Sequence, residues 1–130
     1  MNRTSYVVAC FLFLLAACGP SAEPSPVETL RRLAAQPGLS EFQRGMLADG
    51  FLTFAEFERA VRGFVSCLVA QGYVAESVEI DEQDGFTVTV AWPEGIDRAR
   101  SQAERDACES EYISAVELAF AATRDSDSAD

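Results

Sequence analysis

Thr53-Phe54-Ala55-Glu56-Phe57-Glu58-Arg59-Ala60-Val61-Arg62-Gly63-Phe64-Val65-Ser66-Cys67-Leu68 is the run that decides the fold. Phe54, Phe57, Val61, Phe64 and Leu68 recur at steps of three and four, which draws one apolar stripe along four turns of helix. Glu58, Arg59, Arg62 and Ser66 fall off that stripe. Thr53 and Glu56 have the spacing of a capping box, in which each residue satisfies a backbone N–H of the other. Gly72 is placed to close the helix in a left-handed conformation.

The period then switches from helical to alternating. Val74, Val78 and Ile80 fall on one side of a strand, with Ser77 and Glu79 on the other. Asp81 to Gly85 reads as a turn. Phe86, Val88, Val90 and Trp92 then alternate with Thr87, Thr89 and Ala91. The expectation is a β-hairpin with one apolar face, Trp92 included in the core. A lone hairpin is marginal in water, so it must pack on helices.

Working outward, Val27 to Gln36 predicts a short helix through Val27, Leu30, Leu33 and Ala34, stopped by Pro37-Gly38. Ser40 predicts a second helix, with Gln43 at the reciprocal position of its capping box and Phe42, Met46 and Leu47 on one face. Asp97 to about Thr123 predicts one long helix, with Cys108, Tyr112, Ala115, Val116 and Ala119 along its apolar face. Arg124 to Asp130 has no apolar stripe and is expected to be a disordered acidic tail. The fold class expected for residues 27–123 is therefore α+β, with three to four helices packed on a two-stranded β-hairpin.

The N-terminus carries a different kind of signal. Arg3 precedes a short apolar run from Tyr6 to Leu15, and Leu15-Ala16-Ala17-Cys18-Gly19 follows. This is the layout of a secretory signal, and it is too short for the ~20 residues that cross a bilayer as a helix. Leu15-Ala16-Ala17-Cys18 resembles the lipobox of bacterial lipoproteins. That resemblance implies removal of residues 1–17 and lipidation of Cys18, and hence a chain held on the extracytoplasmic face of the cell membrane. Cys10 lies inside the apolar run and would be lost with it. Residues 18–26 add three prolines behind Cys18 and read as a semi-rigid tether reaching ~25 Å.

Charge and composition exclude several functions. The chain carries 21 acidic and ten basic residues, for a net charge of −11. Removal of Arg3 with the signal would take it to −12. Such a surface repels nucleic acid. His is absent, and every basic residue is Arg. There is thus no Ser-His-Asp triad, no Cys-His pair, no imidazole metal ligand and no Schiff-base lysine.

Cys67 and Cys108 remain once Cys18 is lipidated. An even pair in an exported chain implies a disulfide, beside Ala60 and Gly63, whose small side chains let a second helix approach. Closing the loop would add ~4 kcal/mol in the chain-entropy model. The alternative is two separate buried thiols.

Asp49-Gly50-Phe51-Leu52-Thr53-Phe54-Ala55-Glu56 looks like the second half of an EF-hand loop, with Glu56 at the bidentate position. Gly45 and Leu47 occupy positions where calcium needs side-chain oxygens, so the run reads as a turn and a helix cap instead. Asp81, Glu82 and Asp84, and Asp106, Glu109 and Glu111, are acidic clusters whose simplest reading is a solvated turn and a solvated helix face. Tyr73 and Tyr112 could line a binding surface, but such residues more often sit in cores or half-buried edges. No catalytic residue, metal ligand or cofactor is assigned.

The run from Gln43 through Asp49-Gly50 and Thr53-Phe54-Ala55-Glu56 to Ala60, then Cys67-Leu68, Gly72-Tyr73, Cys108 and Tyr112, resembles small secreted or lipid-anchored proteins of actinobacteria. The resemblance spans roughly Ser40 to Ala119 and implies a surface lipoprotein without an assigned activity. The expected role is non-enzymatic binding or scaffolding at the cell envelope. Its partners would be the membrane, through the lipid on Cys18, and an envelope protein or polymer. The competing expectation is a carboxylate-dependent hydrolase acting on envelope polymers.

Overall fold

The computed structural model describes residues 23–127. Residues 1–17, expected to be a signal segment, Cys18, and most of the expected tether lie outside the described residues. Among the described residues five helices pack against one antiparallel hairpin, in the order α1 (Pro26–Ala34), α2 (Glu41–Leu47), α3 (Phe54–Ala70), β1 (Val74–Asp81), β2 (Gly85–Ala91), α4 (Arg98–Tyr112) and α5 (Ser114–Asp127). The α+β class and the helix-on-hairpin arrangement are as expected, with one helix more than the upper expectation.

Helix α3 is the axis of the molecule. Thr53 and Glu56 form the full capping box: Glu56 N–H donates to Thr53 Oγ1 at 3.2 Å, and Thr53 N–H donates to Glu56 Oε2 at 2.9 Å. At the other end Gly72 has φ +96°, and the N–H groups of Gly72 and Tyr73 reach back to the carbonyls of Val69 and Leu68. That is the paired closure a left-handed glycine permits. Between the caps, Phe57, Val61, Phe64 and Leu68 are buried. Phe57 stacks on Phe120 of α5 with centroids 3.9 Å apart.

Cys67 and Cys108 form a disulfide between α3 and α4, with Cα atoms 5.7 Å apart. The small residues beside Cys67 permit this approach. A Cβ built on Gly63 would lie 2.6 Å from Cδ1 of Tyr112, so the Tyr112 ring occupies the space a side chain would need. Tyr112 also meets Phe42 of α2 edge-on.

The expected single helix from Asp97 to Thr123 is two helices, broken at Ile113, whose φ of −133° and ψ of −26° leave the helical region. The cause lies far away in sequence. Gln43 of α2 is fully buried, and its Oε1 accepts from the N–H groups of Ala115 (2.7 Å) and Val116 (3.2 Å). Its Nε2 donates to the Ser110 carbonyl (2.7 Å) and to Ser114 Oγ (3.3 Å). Ser40 Oγ donates to the Glu111 carbonyl. One amide thus satisfies the end of α4 and the start of α5, groups that a continuous helix would have paired internally. The reciprocal half of the expected Ser40–Gln43 capping box is therefore not formed, because the Gln43 side chain is used elsewhere. Only the bond from Gln43 N–H to Ser40 Oγ (3.2 Å) remains.

The break lets α5 serve two apolar clusters. Val116 and Phe120 join Phe57, Phe64 and Leu68 in the main core, while Ala115 and Ala119 pack with Leu30, Leu33 and Leu47. Helix α5 also runs past the expected boundary at Thr123 to Asp127, so residues 124–127 are helical rather than disordered. Arg124 holds this last turn: its guanidinium lies over the Phe120 ring, 5.9 Å from the centroid, and donates to the Gln83 carbonyl in the hairpin turn. Residues 128–130 lie outside the described residues.

The hairpin departs from expectation in one detail of register. Ser77 pairs with Thr89 and Ala75 with Val90, so Glu76 is an extra residue forming a bulge. A one-residue insertion flips the side chains beyond it to the opposite face. Val78 and Ile80 therefore share the face of Phe86, Val88 and Val90, but Ala75 takes the place expected for Val74. Val74 is 62% exposed. Trp92 is likewise not core: β2 ends at Ala91, and Trp92 is 49% exposed.

Candidate functional site

The hairpin and the helices do not close on each other completely. Ile80, Phe86, Val88 and Val90 pack against the main core but are only partly buried. The space left over is a groove of about 270 Å³ between β2 and the helices. Phe64 and Leu68 of α3 and Ile113 at the α4–α5 break form its buried floor. Phe86, Val88 and Val90 form one wall, all from β2. Arg105 and Glu109 of α4 and Glu117 of α5 complete the lining with charge.

Sequence and packing explain the opening. Helix α3 is drawn to α4 by the disulfide and by Tyr112 over Gly63, while β1 leans on α3. β2 touches α5, and near the turn Phe86 meets Phe57 and Phe64 of α3 edge-on, 6.1 and 6.3 Å between centroids. Along the same wall the side chains shrink from Phe86 to Val88 and Val90. An apolar floor with a few polar groups at its edge is the usual make-up of a ligand-binding concavity, and this one is slightly smaller than a typical small-molecule pocket.

A larger depression of about 530 Å³ surrounds the hairpin turn, lined by Glu79, Asp81, Asp84 and Thr87 among others. It is open, and its walls are the hairpin turn and the strand ends beside it, with Glu79, Asp81, Asp84 and Thr87 exposed. Asp81 Oδ1 accepts from the N–H groups of Asp84 (2.9 Å) and Gln83 (2.7 Å), and these bonds hold its carboxyl below the usual carboxylate range. Its carboxylate is thus engaged in shaping the turn, and the groove is the better candidate site despite its smaller volume.

The residues singled out by sequence fall in several places. Cys67 and Cys108 are joined, and Cys18 lies outside the described residues. Of the acidic helix cluster, Glu109 lines the groove, while Asp106 accepts from Gln102 Nε2 at 2.6 Å. Glu56 is engaged with Thr53, and Asp49 Oδ1 accepts from Phe51 N–H at 3.0 Å. Tyr73, in the connection from α3 to β1, is buried, its hydroxyl donating to Ser101 Oγ of α4 at 2.8 Å. Arg105 and Glu117 were not singled out. Arg105 and Glu109 share one face of α4 at i, i+4 spacing, a signal that marks a helix face but not what it faces.

Among the described residues no helix is long and apolar enough to cross a membrane. No family model, curated protein or solved structure matches this chain.

Proposed function

We propose that this chain is a lipid-anchored protein of the extracytoplasmic face, held by Cys18, that binds an envelope partner without catalysis through the groove between β2 and α4. The groove carries this reading: six apolar side chains bordered by three charged ones suit recognition of a partner with both apolar and charged groups. The lipobox-like Leu15-Ala16-Ala17-Cys18 and the proline-rich run behind it support the anchoring. The resemblance to small lipid-anchored proteins of actinobacteria supports it too.

Two experiments test this reading. Cys18→Ser abolishes lipid mass and membrane fractionation. A wild-type chain without lipid mass contradicts the anchoring. A photo-cross-linking residue at Val88 gives adducts in intact cells, whereas the same residue at exposed Ser66 does not. Equal adducts at the two positions contradict the groove as the binding face.

One observation favours a second reading, a carboxylate-dependent hydrolase of envelope polymers: Glu109 and Glu117 both line the groove. Binding is preferred because Glu117 is exposed to solvent, whereas carboxylate chemistry gains from exclusion of water. Loss of a hydrolytic activity in both Glu109→Gln and Glu117→Gln would reverse that preference.

A further inference from the structure

The two strands of the hairpin are guarded unequally. A two-stranded sheet leaves one unpaired edge on each strand, and an unpaired edge invites pairing with another chain unless charges, prolines or bulges block it. β1 is blocked in two of these ways: it carries Glu76, Glu79 and Asp81, and it is bulged at Glu76. β2, Gly85-Phe86-Thr87-Val88-Thr89-Val90-Ala91, has no charge, no proline and no bulge, in a chain where 24% of residues are charged. Its Val and Thr residues have high β-propensity. The strand left unguarded is also the one that forms the wall of the groove.

We infer that β2 receives an extended, positively charged polypeptide segment, which adds to the sheet as a third strand and sets alternate apolar side chains into the groove. This rests on the groove being the binding face. Strand addition divides the work of recognition: backbone hydrogen bonds supply affinity, and pockets for every second side chain supply selectivity. The geometry matches that division, since Phe86, Val88 and Val90 alternate along β2 on the groove side, and an added strand in the same sheet turns every second side chain to that side. Charge selects the sign of the partner. The chain carries −11, and the lining carries Glu109 and Glu117 against Arg105. A cationic segment is drawn in, while a second copy of this acidic chain is repelled.

The test uses the full chain in detergent micelles and a short synthetic peptide of alternating valine and threonine with arginine at both ends. Trp92, the single tryptophan, stands half-exposed just beyond β2 and reports binding by its emission. The peptide is expected to shift that emission and to slow hydrogen exchange at alternate β2 amides. Methylating alternate peptide nitrogens is expected to weaken binding about tenfold or more, because the backbone bonds are lost while the side chains remain. Replacing the terminal arginines by glutamate is expected to weaken it also.

Equal binding of the N-methylated peptide, or slowed exchange in β1 in place of β2, overturns strand addition. So does a dimer of the chain alone with its β2 amides protected. Adducts at Val88 in cells without peptide binding remove this inference and leave the groove reading standing; absence of both removes the two together.

Discussion

The helical half and the hairpin half of this molecule are held by different means. Across the helices the ties are covalent, polar and buried. Cys67–Cys108 joins α3 to α4, Gln43 joins α2 to the α4–α5 break, and Tyr73 reaches Ser101. Phe57, Val61 and Val116 are fully buried. The hairpin has its own ladder, the edge-on contact of Phe86 with α3, and the Arg124 contact at its turn, while Val88 and Val90 remain partly open to the groove. The difference teaches where this small domain keeps its stability and where it keeps its freedom. A chain of this size builds only a modest core, and the helical half concentrates it. The hairpin can then afford an incompletely filled face.

Substitutions that test the contrast rank in a definite order. Replacing both cysteines, Cys67→Ala with Cys108→Ala, is expected to cost ~4 kcal/mol, since the bridge closes a loop of 41 residues. That would leave the domain close to unfolding and is read by thermal melting under non-reducing conditions. A loss under ~1 kcal/mol would show that the helices hold together without the staple. Gln43→Ala comes next. It strands the buried N–H groups of Ala115 and Val116, so denaturant unfolding should show a loss of about 3 kcal/mol. A Gln43→Met variant of similar length but without the amide should do no better, because the cost lies in the unpaired groups.

How much of this was legible in sequence follows the same divide. α3 was readable end to end, because its cap, stripe and closing glycine are local. The pairing of Cys67 with Cys108 followed from counting and from the small residues beside Cys67. The break at Ile113 was not readable. Its cause, Gln43, sits 67 to 73 residues away, and in sequence its most economical role was a cap for Ser40. The bulge at Glu76 was hidden for a related reason: two alternating runs match any register until the partner strand chooses one. The groove depends on how far β2 stands from α4, which the disulfide and Tyr112 set through α3, and no local pattern encodes that spacing. Trp92 carried the right parity for the core, but the strand ended before it.

Smaller effects sharpen the comparison. Thr53→Ala should cost ~1 kcal/mol in denaturant unfolding, the usual loss of an N-cap, since Glu56 N–H and Thr53 Oγ1 are partners at the start of α3. Val88→Thr, on the wall of the groove, should cost about 0.5 kcal/mol or less, as at a partly exposed site with no buried group left unpaired. If Val88→Thr cost as much as Gln43→Ala, the hairpin would be as tightly built as the helices, and the contrast would fail.

Native-state hydrogen exchange on the oxidised domain tests the contrast most directly. The account predicts that amides of α3 from Val61 to Leu68 exchange only through global unfolding. Amides of β2 from Phe86 to Val90 should exchange through a local opening of distinctly lower free energy and weaker denaturant dependence. Equal protection across α3 and β2, or slower exchange in β2, would contradict it.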